Sequence, residues 1–208
     1  MKKRILILAP HTDDGELGCG GTIARFAEEG HDVYYIAFST AEQSLPAGFP
    51  QNTLEVEVKA ATKVLGINSE HLIIFKHEVR KLNYIRQEIL EELIKIRKDV
   101  DPTMIFLPSQ NDLHQDHHTV SEEGIRAFKN STILGYELLW NNISFNTESF
   151  VILHESHVNT KVKALHEYKS QLHRKYLTED FIKGWARTRG TQINTDFAEA
   201  FEVVRWII

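Results

Sequence analysis

The stretch Arg4-Ile5-Leu6-Ile7-Leu8-Ala9-Pro10-His11-Thr12-Asp13-Asp14 joins an apolar run directly to an acidic, histidine-bearing cluster. Five consecutive apolar residues, 5–9, suit a strand buried on both faces, as strands of parallel sheets are. The same pairing recurs about a hundred residues later. Met104-Ile105-Phe106-Leu107-Pro108 is another short apolar run, and His114-Gln115-Asp116-His117-His118 follows it closely. Enzymes built on parallel sheets place their chemistry at such strand ends.

The rest of the front half alternates two signals. Residues 33–38 and 72–75 are further apolar runs. Between the runs lie helical patterns at 18–29, 54–65 and 84–97. The first two stop at Gly30 and Gly66, and the third, with an amphipathic stripe of Ile85, Ile89, Leu93 and Ile96, stops before Asp101-Pro102. This rhythm predicts an α/β fold: a Rossmann-like doubly wound, mostly parallel sheet with helices on both faces. In that topology the first and fourth strands are neighbours, and ligands bind at their carboxyl ends. The two clusters then face one crevice. In the back half, strands are expected at 132–139, 149–153 and 198–208, a helix at 158–172, a loop at 141–148 and a turn at 185–190.

With 208 residues, 42% hydrophobic and 25% charged, the chain suits one domain over 1–208 with a sizeable core. A net charge of −5 with mixed signs gives no nucleic-acid footprint. Met1-Lys2-Lys3-Arg4 resembles a signal n-region, but the apolar run after it is too short for an h-region, and no run is long enough for a membrane span. The lone Cys19 excludes an internal disulfide and fits a cytoplasmic setting.

The clusters supply imidazoles and carboxylates in the mixture that catalytic zinc takes, three protein ligands with one position left for water. Spacing alone does not separate Asp13 from Asp14, or His117 from His118. The bland reading, polar residues capping helices, suits either cluster alone. Two clusters at one switch point favour a metal site. Gly18-Cys19-Gly20-Gly21 invites a phosphate-cradling reading, but the spacing is not Gly-x-Gly-x-x-Gly. Close packing of the first helix on the sheet is the better explanation.

These residues carry a resemblance. His11-Thr12-Asp13-Asp14, with Leu17-Gly18-Cys19-Gly20-Gly21-Thr22-Ile23, resembles the His-Pro-Asp-Asp opening of the PIG-L/LmbE-like family of zinc-dependent N-acetylglucosamine deacetylases. Asp112-Leu113-His114-Gln115-Asp116-His117 is similar to that family's Asp-x-His-x-Asp-His motif. Ala164-Leu165, Ser170-Gln171, Arg189-Gly190 and Ala198-Glu199-Ala200-Phe201 extend the likeness along nearly the whole chain. The resemblance implies that His11, Asp14 and His117 hold the metal. It makes Asp13 the general base and His114 the oxyanion stabiliser, with Asp116 orienting His114 and keeping it protonated. Either Asp13 or His114 then protonates the leaving amine. Thr12 stands in place of the usual Pro, Gly15 in place of Glu, Leu54 in place of an Arg near the sugar pocket, and Tyr168 in place of a common His.

The expected reaction is removal of the N-acetyl group from an amino sugar or its conjugate. Zinc is the expected metal, though other divalent transition metals accept the same ligands. The expected substrate contacts are Arg189, able to hold an anionic aglycone, with Trp185 and Glu42. For Arg187 a solvated face, and for Trp140 a core or subunit contact, weighs more. A homo-oligomer is compatible with the sequence. Hydrolysis of another N-acyl or amide substrate is the alternative on the same site, and a Rossmann-like nucleotide binder using 18–21 is the alternative from another class.

Overall fold

Seven strands form one sheet in the computed structural model, which describes residues 2–207. They are β1 (Arg4–His11), β2 (Asp32–Ser39), β3 (Leu72–Ile74), β4 (Met104–Pro108), β5 (Thr132–Tyr136), β6 (Ser149–Leu153) and β7 (Phe197–Arg205), in the order β3-β2-β1-β4-β5-β7-β6. The first five pair in parallel, and β7 runs antiparallel between β5 and β6. Six helices accompany them: α1 (Asp14–Glu28), α2 (Thr53–Val64), α3 (Arg86–Val100), α4 (Gln115–Ala127), α5 (Glu155–Leu165) and α6 (Glu179–Thr191). This is the expected doubly wound, mostly parallel sheet.

The alternation of side chains along β1 shows why its run is apolar throughout. Ile5, Ile7 and Ala9 enter the core with Leu17 of α1, Val58 of α2 and Val162 of α5. Leu6 and Leu8 enter a second core on the opposite face, with Ile89 of α3 and Val120 of α4. A strand buried on both sides has no polar face to display.

The glycine-rich stretch is a packing device. A Cβ at Gly18 would lie 2.2 Å from Tyr136 Cδ2, and one at Gly21 2.5 Å from Leu153 Cδ1. α1 is broken at Cys19, whose φ of −144° is not helical. The groups freed by the break are answered by a buried ion pair. Glu199 of β7 accepts from Gly21 N–H at 3.0 Å and Thr22 N–H at 2.7 Å, while Lys161 Nζ of α5 donates to Leu17 C=O and to Glu199, both at 2.7 Å. The amides that would hold a phosphate therefore already hold a carboxylate, which argues against the nucleotide-binding reading. Burial also pushes the Cys19 thiol well above its usual pKa, so it is no nucleophile.

Three local expectations change. Residues 185–190 lie inside α6, not in a turn; Glu179 and Asp180 in its first turn and Arg189 in its last suit the helix dipole. The expected helix over 158–172 starts earlier, at Glu155, and stops at Leu165, where the chain turns so that Tyr168 is buried beneath the first cluster. The second cluster opens helix α4, with His114 at its N-cap. The C-terminal strand expected over 198–208 is β7, which begins at Phe197 and already ends at Arg205; Ile208, like Met1, lies outside the described residues.

Candidate active site

Both clusters emerge from the carboxyl ends of the adjacent strands β1 and β4. His11 is the last residue of β1, Asp14 the first of α1, and His117 lies in the first turn of α4. Three atoms converge. His11 Nδ1 is 3.0 Å from Asp14 Oδ2, His117 Nε2 is 3.2 Å from the same oxygen, and the two ring nitrogens are 3.2 Å apart.

Each ring is oriented from behind by a carboxylate. His11 Nε2 lies 3.0 Å from Asp116 Oδ2, and His117 Nδ1 lies 2.8 Å from Asp112 Oδ2. An N–H donated backwards from each ring leaves the converging nitrogens as lone pairs. Two lone pairs and a carboxylate oxygen at such distances suit a cation between them. For zinc at about 2.0–2.1 Å from each ligand, the edges of a tetrahedral face measure roughly 3.3–3.4 Å, close to this triangle. The donor set fits a metal.

His114 offers a competing set, since a ligand atom from each of His11, His114 and His117 lies within 4.8 Å of the others. Its hydrogen bonding decides against it. His114 Nδ1 accepts from Asp116 N–H at 3.1 Å and caps α4, so the neutral ring carries its proton on Nε2 and is a donor. His118 is exposed and lies 3.1 Å from Glu122, out of the cluster.

Electrostatics show how strongly Asp14 draws a cation, proton or metal, to the nitrogens of the two rings. Burial disfavours a charged His11 ring, but the Asp14 charge and bonds from Asp116 and Asp14 outweigh it and raise the pKa to about 9. His117 rises to about 10, its burial outweighed by Asp14 and Asp112. Asp14 is buried, yet the charges of His117 and His11 hold it well below the carboxylate range. Burial and then the neighbouring Asp14 charge push Asp13 up to about 6, against His11 and Arg174. Asp13 stands at the N-cap of α1 without making a capping bond, so the bland capping reading does not account for it. His114 falls to about 4 through burial and the charges of His117 and His11.

One expected pairing is overturned. Asp116 does not hold His114 protonated through its carboxylate. That group is taken by His11, by Arg80 N–H at 2.5 Å and by Leu82 N–H at 3.2 Å. Only the backbone N–H of Asp116 reaches His114.

The cleft around the cluster has a volume of about 300 Å³. Besides the motif residues its wall includes Leu54, Val79, Arg80, Trp140, Arg174 and Tyr176. None of the three expected substrate contacts lines it. Trp185 Nε1 donates to Glu137 at 3.0 Å and Arg189 forks onto the same carboxylate, so both are spent inside the fold. Glu42 accepts from Thr40 Oγ1 at 3.1 Å. Trp140, by contrast, is 40% exposed and stacks on Tyr176 with centroids 4.0 Å apart, facing the cleft.

Residues 6–128 match the model of the family described as PIG-L, GlcNAc-PI de-N-acetylase. The chain belongs to the PIG-L family. Among relatives, an uncharacterized deacetylase of Escherichia coli (strain K12), YaiS, is 30% identical over 174 residues, covering 81% of this chain and 92% of that protein. The diacetylchitobiose deacetylase of Thermococcus kodakarensis is 28% identical over 60% of this chain and 49% of its own length. In fold, the chain is similar to the conserved protein TT1542 from Thermus thermophilus, with a TM-score of 0.85 at 24% identity, covering 99% and 96% of the two chains. It is also similar to GalB, a 4-carboxy-2-hydroxymuconate hydratase from Pseudomonas putida KT2440, with a TM-score of 0.81 at 19% identity over 100% and 98%. The fold alone therefore leaves the reaction open. Both clusters lie within the PIG-L match, whereas Trp140, Arg174 and Tyr176 lie beyond it.

Proposed function

We propose that this chain is a metal-dependent deacetylase, working as one domain over 1–208, that hydrolyses the N-acetyl group of an amino sugar or its conjugate. The observation that carries this reading is the triangle of His11 Nδ1, Asp14 Oδ2 and His117 Nε2, beside an uncapped Asp13. In this reading those three residues hold zinc. A bound zinc supplies Lewis acidity and a water acidified towards neutral pH. Asp112 and Asp116 fix the ligand rings from behind. Asp13 receives the proton of the attacking water at its carboxylate, where burial and the neighbouring Asp14 charge favour taking a proton. His114, with its proton on Nε2, donates a hydrogen bond to the oxygen that gains charge, and as a neutral ring it needs no carboxylate partner. Asp13, once protonated, is then the better source of the proton for the leaving amine. The single buried Cys19 supports a cytoplasmic setting.

The test is acetate release from N-acetylglucosamine conjugates by zinc-loaded protein and by Asp13→Asn. The expected outcome is a loss of about 100- to 10,000-fold in the variant with zinc content unchanged by elemental analysis. Wild-type turnover in Asp13→Asn removes the base assignment. No acetate release from any amide conjugate by the wild type removes the deacetylase reading.

A further inference from the structure

Asp14 is held by its own side chain: its Oδ2 accepts from His11 N–H at 2.8 Å and meets both ligand rings. Asp13 is held differently. It makes no capping bond, and among the described residues its carboxylate has no hydrogen-bond or salt-bridge partner in another side chain. Where that carboxylate points is therefore set by the backbone on either side of it.

That backbone is gripped from below. Tyr168 Oη donates at 2.6 Å to Thr12 C=O, the carbonyl of the peptide that leads into Asp13. Tyr35 Oη donates to the same carbonyl at 2.9 Å, one hydroxyl for each lone pair. Tyr35 Oη also accepts from Gly15 N–H at 3.1 Å. One hydroxyl thus ties the peptide before Asp13 to the peptide after Asp14. Glu16 lies between the two hydroxyls and contacts both, 2.8 Å from Tyr168 Oη. All three side chains are fully buried, so no solvent competes for these bonds. The supports are rigid. Tyr35 stands on β2, paired with Ile7 of β1. Two residues beyond Tyr168, Ser170 donates its N–H and hydroxyl to Glu57 of α2, at 2.8 and 2.7 Å. There is no slack above them either: a Cβ at Gly15 would lie 2.6 Å from the Tyr35 ring. Gly15 and Tyr168 are two of the positions where the chain departs from the family pattern, and both belong to this layer.

We propose that Tyr168 and Tyr35 are positioning residues for Asp13, clamping the Thr12–Asp13 peptide so that the carboxylate stays aimed into the cleft. The inference rests on the deacetylase reading for the role of Asp13, and on the hydrogen bonds for the clamp. A base displaced by about 1 Å loses rate in the chemical step without loss of substrate affinity.

Tyr168→Phe removes one hydroxyl and keeps the buried ring. The expected result is a kcat about tenfold lower on N-acetylglucosamine conjugates, with KM within about twofold and zinc content equal to wild type by elemental analysis. Tyr35→Phe combined with Tyr168→Phe frees the carbonyl altogether and is expected to lower kcat about 100-fold. A cycle with Asp13→Asn separates positioning from packing. Tyr168→Phe is expected to cost less than about twofold in the Asp13→Asn background, where the group it aims is already gone. A kcat equal to wild type, a fall carried by KM or by lost zinc, or an equal fall in the Asp13→Asn background overturns the clamp and leaves the deacetylase reading standing. Crystal structures read the clamp without turnover. In Tyr168→Phe the Asp13 carboxylate is expected to shift by about 1 Å or to occupy more than one position, with His11, Asp14 and His117 in place. A carboxylate that stays put overturns the clamp whatever the rate. If the wild type releases no acetate from any conjugate, the deacetylase reading falls alone, and the position of Asp13 in the variant decides the clamp.

Discussion

Asp112 and Asp116 do for His117 and His11 what no ligand can do for itself: each holds a ring N–H so that the other nitrogen faces its partners as a lone pair. At Asp112 the consequence is testable. An asparagine there accepts a weaker hydrogen bond, and its amide nitrogen, turned towards His117 Nδ1, would place the ring proton on Nε2 instead. Asp112→Asn is expected to lower metal affinity about 10–100-fold, read by competition with a chromophoric chelator. Affinity equal to wild type would mean that His117 is oriented by packing alone. The sequence made Asp112 visible as a motif member but not its role, because which carboxylate stands behind which ring depends on how the start of α4 lies against the end of β1. The same holds for Asp116, two residues from His114 in sequence yet aimed at His11.

The first helix shows how an element is bent to serve the site. Its break at Cys19 turns the short segment bearing Asp14 towards His11 while the longer part packs flat on the sheet, and the contact is close because Gly18 lies under the Tyr136 ring. That ring is pinned by its hydroxyl, which donates to Leu8 C=O at 2.9 Å, so it has no room to retreat. Gly18→Ala is expected to cost about 1–3 kcal/mol or more through overpacking. Gly184, inside α6 with no atom within 4 Å of its would-be Cβ, is the control; Gly184→Ala is expected to gain about 0.5–1 kcal/mol. Urea denaturation reads both, and shifts of the same sign would contradict the packing account. Gly184 and Gly190 also explain why residues 185–190 read as a turn. Glycine pairs look like breakers in sequence, whereas here Gly190 lies against the backbone of the segment entering β7.

For the molecule as a whole, the buried carboxyl of Glu16 links stability to pH. Tyr35 and Tyr168 each bring a hydroxyl to both Thr12 C=O and Glu16. Four oxygen–oxygen contacts share two hydroxyl protons, so a protonated Glu16 satisfies one contact more than an ionised one. Burial, opposed by those two hydroxyls, raises its pKa to about 8 from 4.5. A raised pKa means that the folded state holds a proton the unfolded state releases. Its stabilisation is full below about pH 4.5 and is lost as pH rises to 8, by up to about 1.4 kcal/mol per pH unit inside that window. Glu16→Gln keeps the neutral hydrogen-bonding pattern and is expected to flatten that slope. Parallel stability–pH curves for wild type and variant, from thermal melts between pH 5 and 8, would show that Glu16 is ionised in the fold.

At this scale the front half was readable and the cleft wall was not. Strands β1 to β4 announce themselves as apolar runs because both of their faces pack against the cores, β3 at the edge only partly, and the switch point follows from their order. Arg174 and Tyr176 sit in an irregular segment between α5 and α6 with no periodicity to flag them. Arg189 was conspicuous in sequence, yet its charge is consumed by Glu137, a partner 52 residues away.

The splint across the α1 break is made by residues far downstream in the sequence. Residues 6–128 contain every candidate metal ligand, but Lys161 and Glu199 are translated later. In sequence order both motif clusters and the broken α1 precede the two residues that answer its freed amides and carbonyl. The antiparallel strand β7, a late insertion between β5 and β6, is therefore the latch: the site is encoded first and locked last.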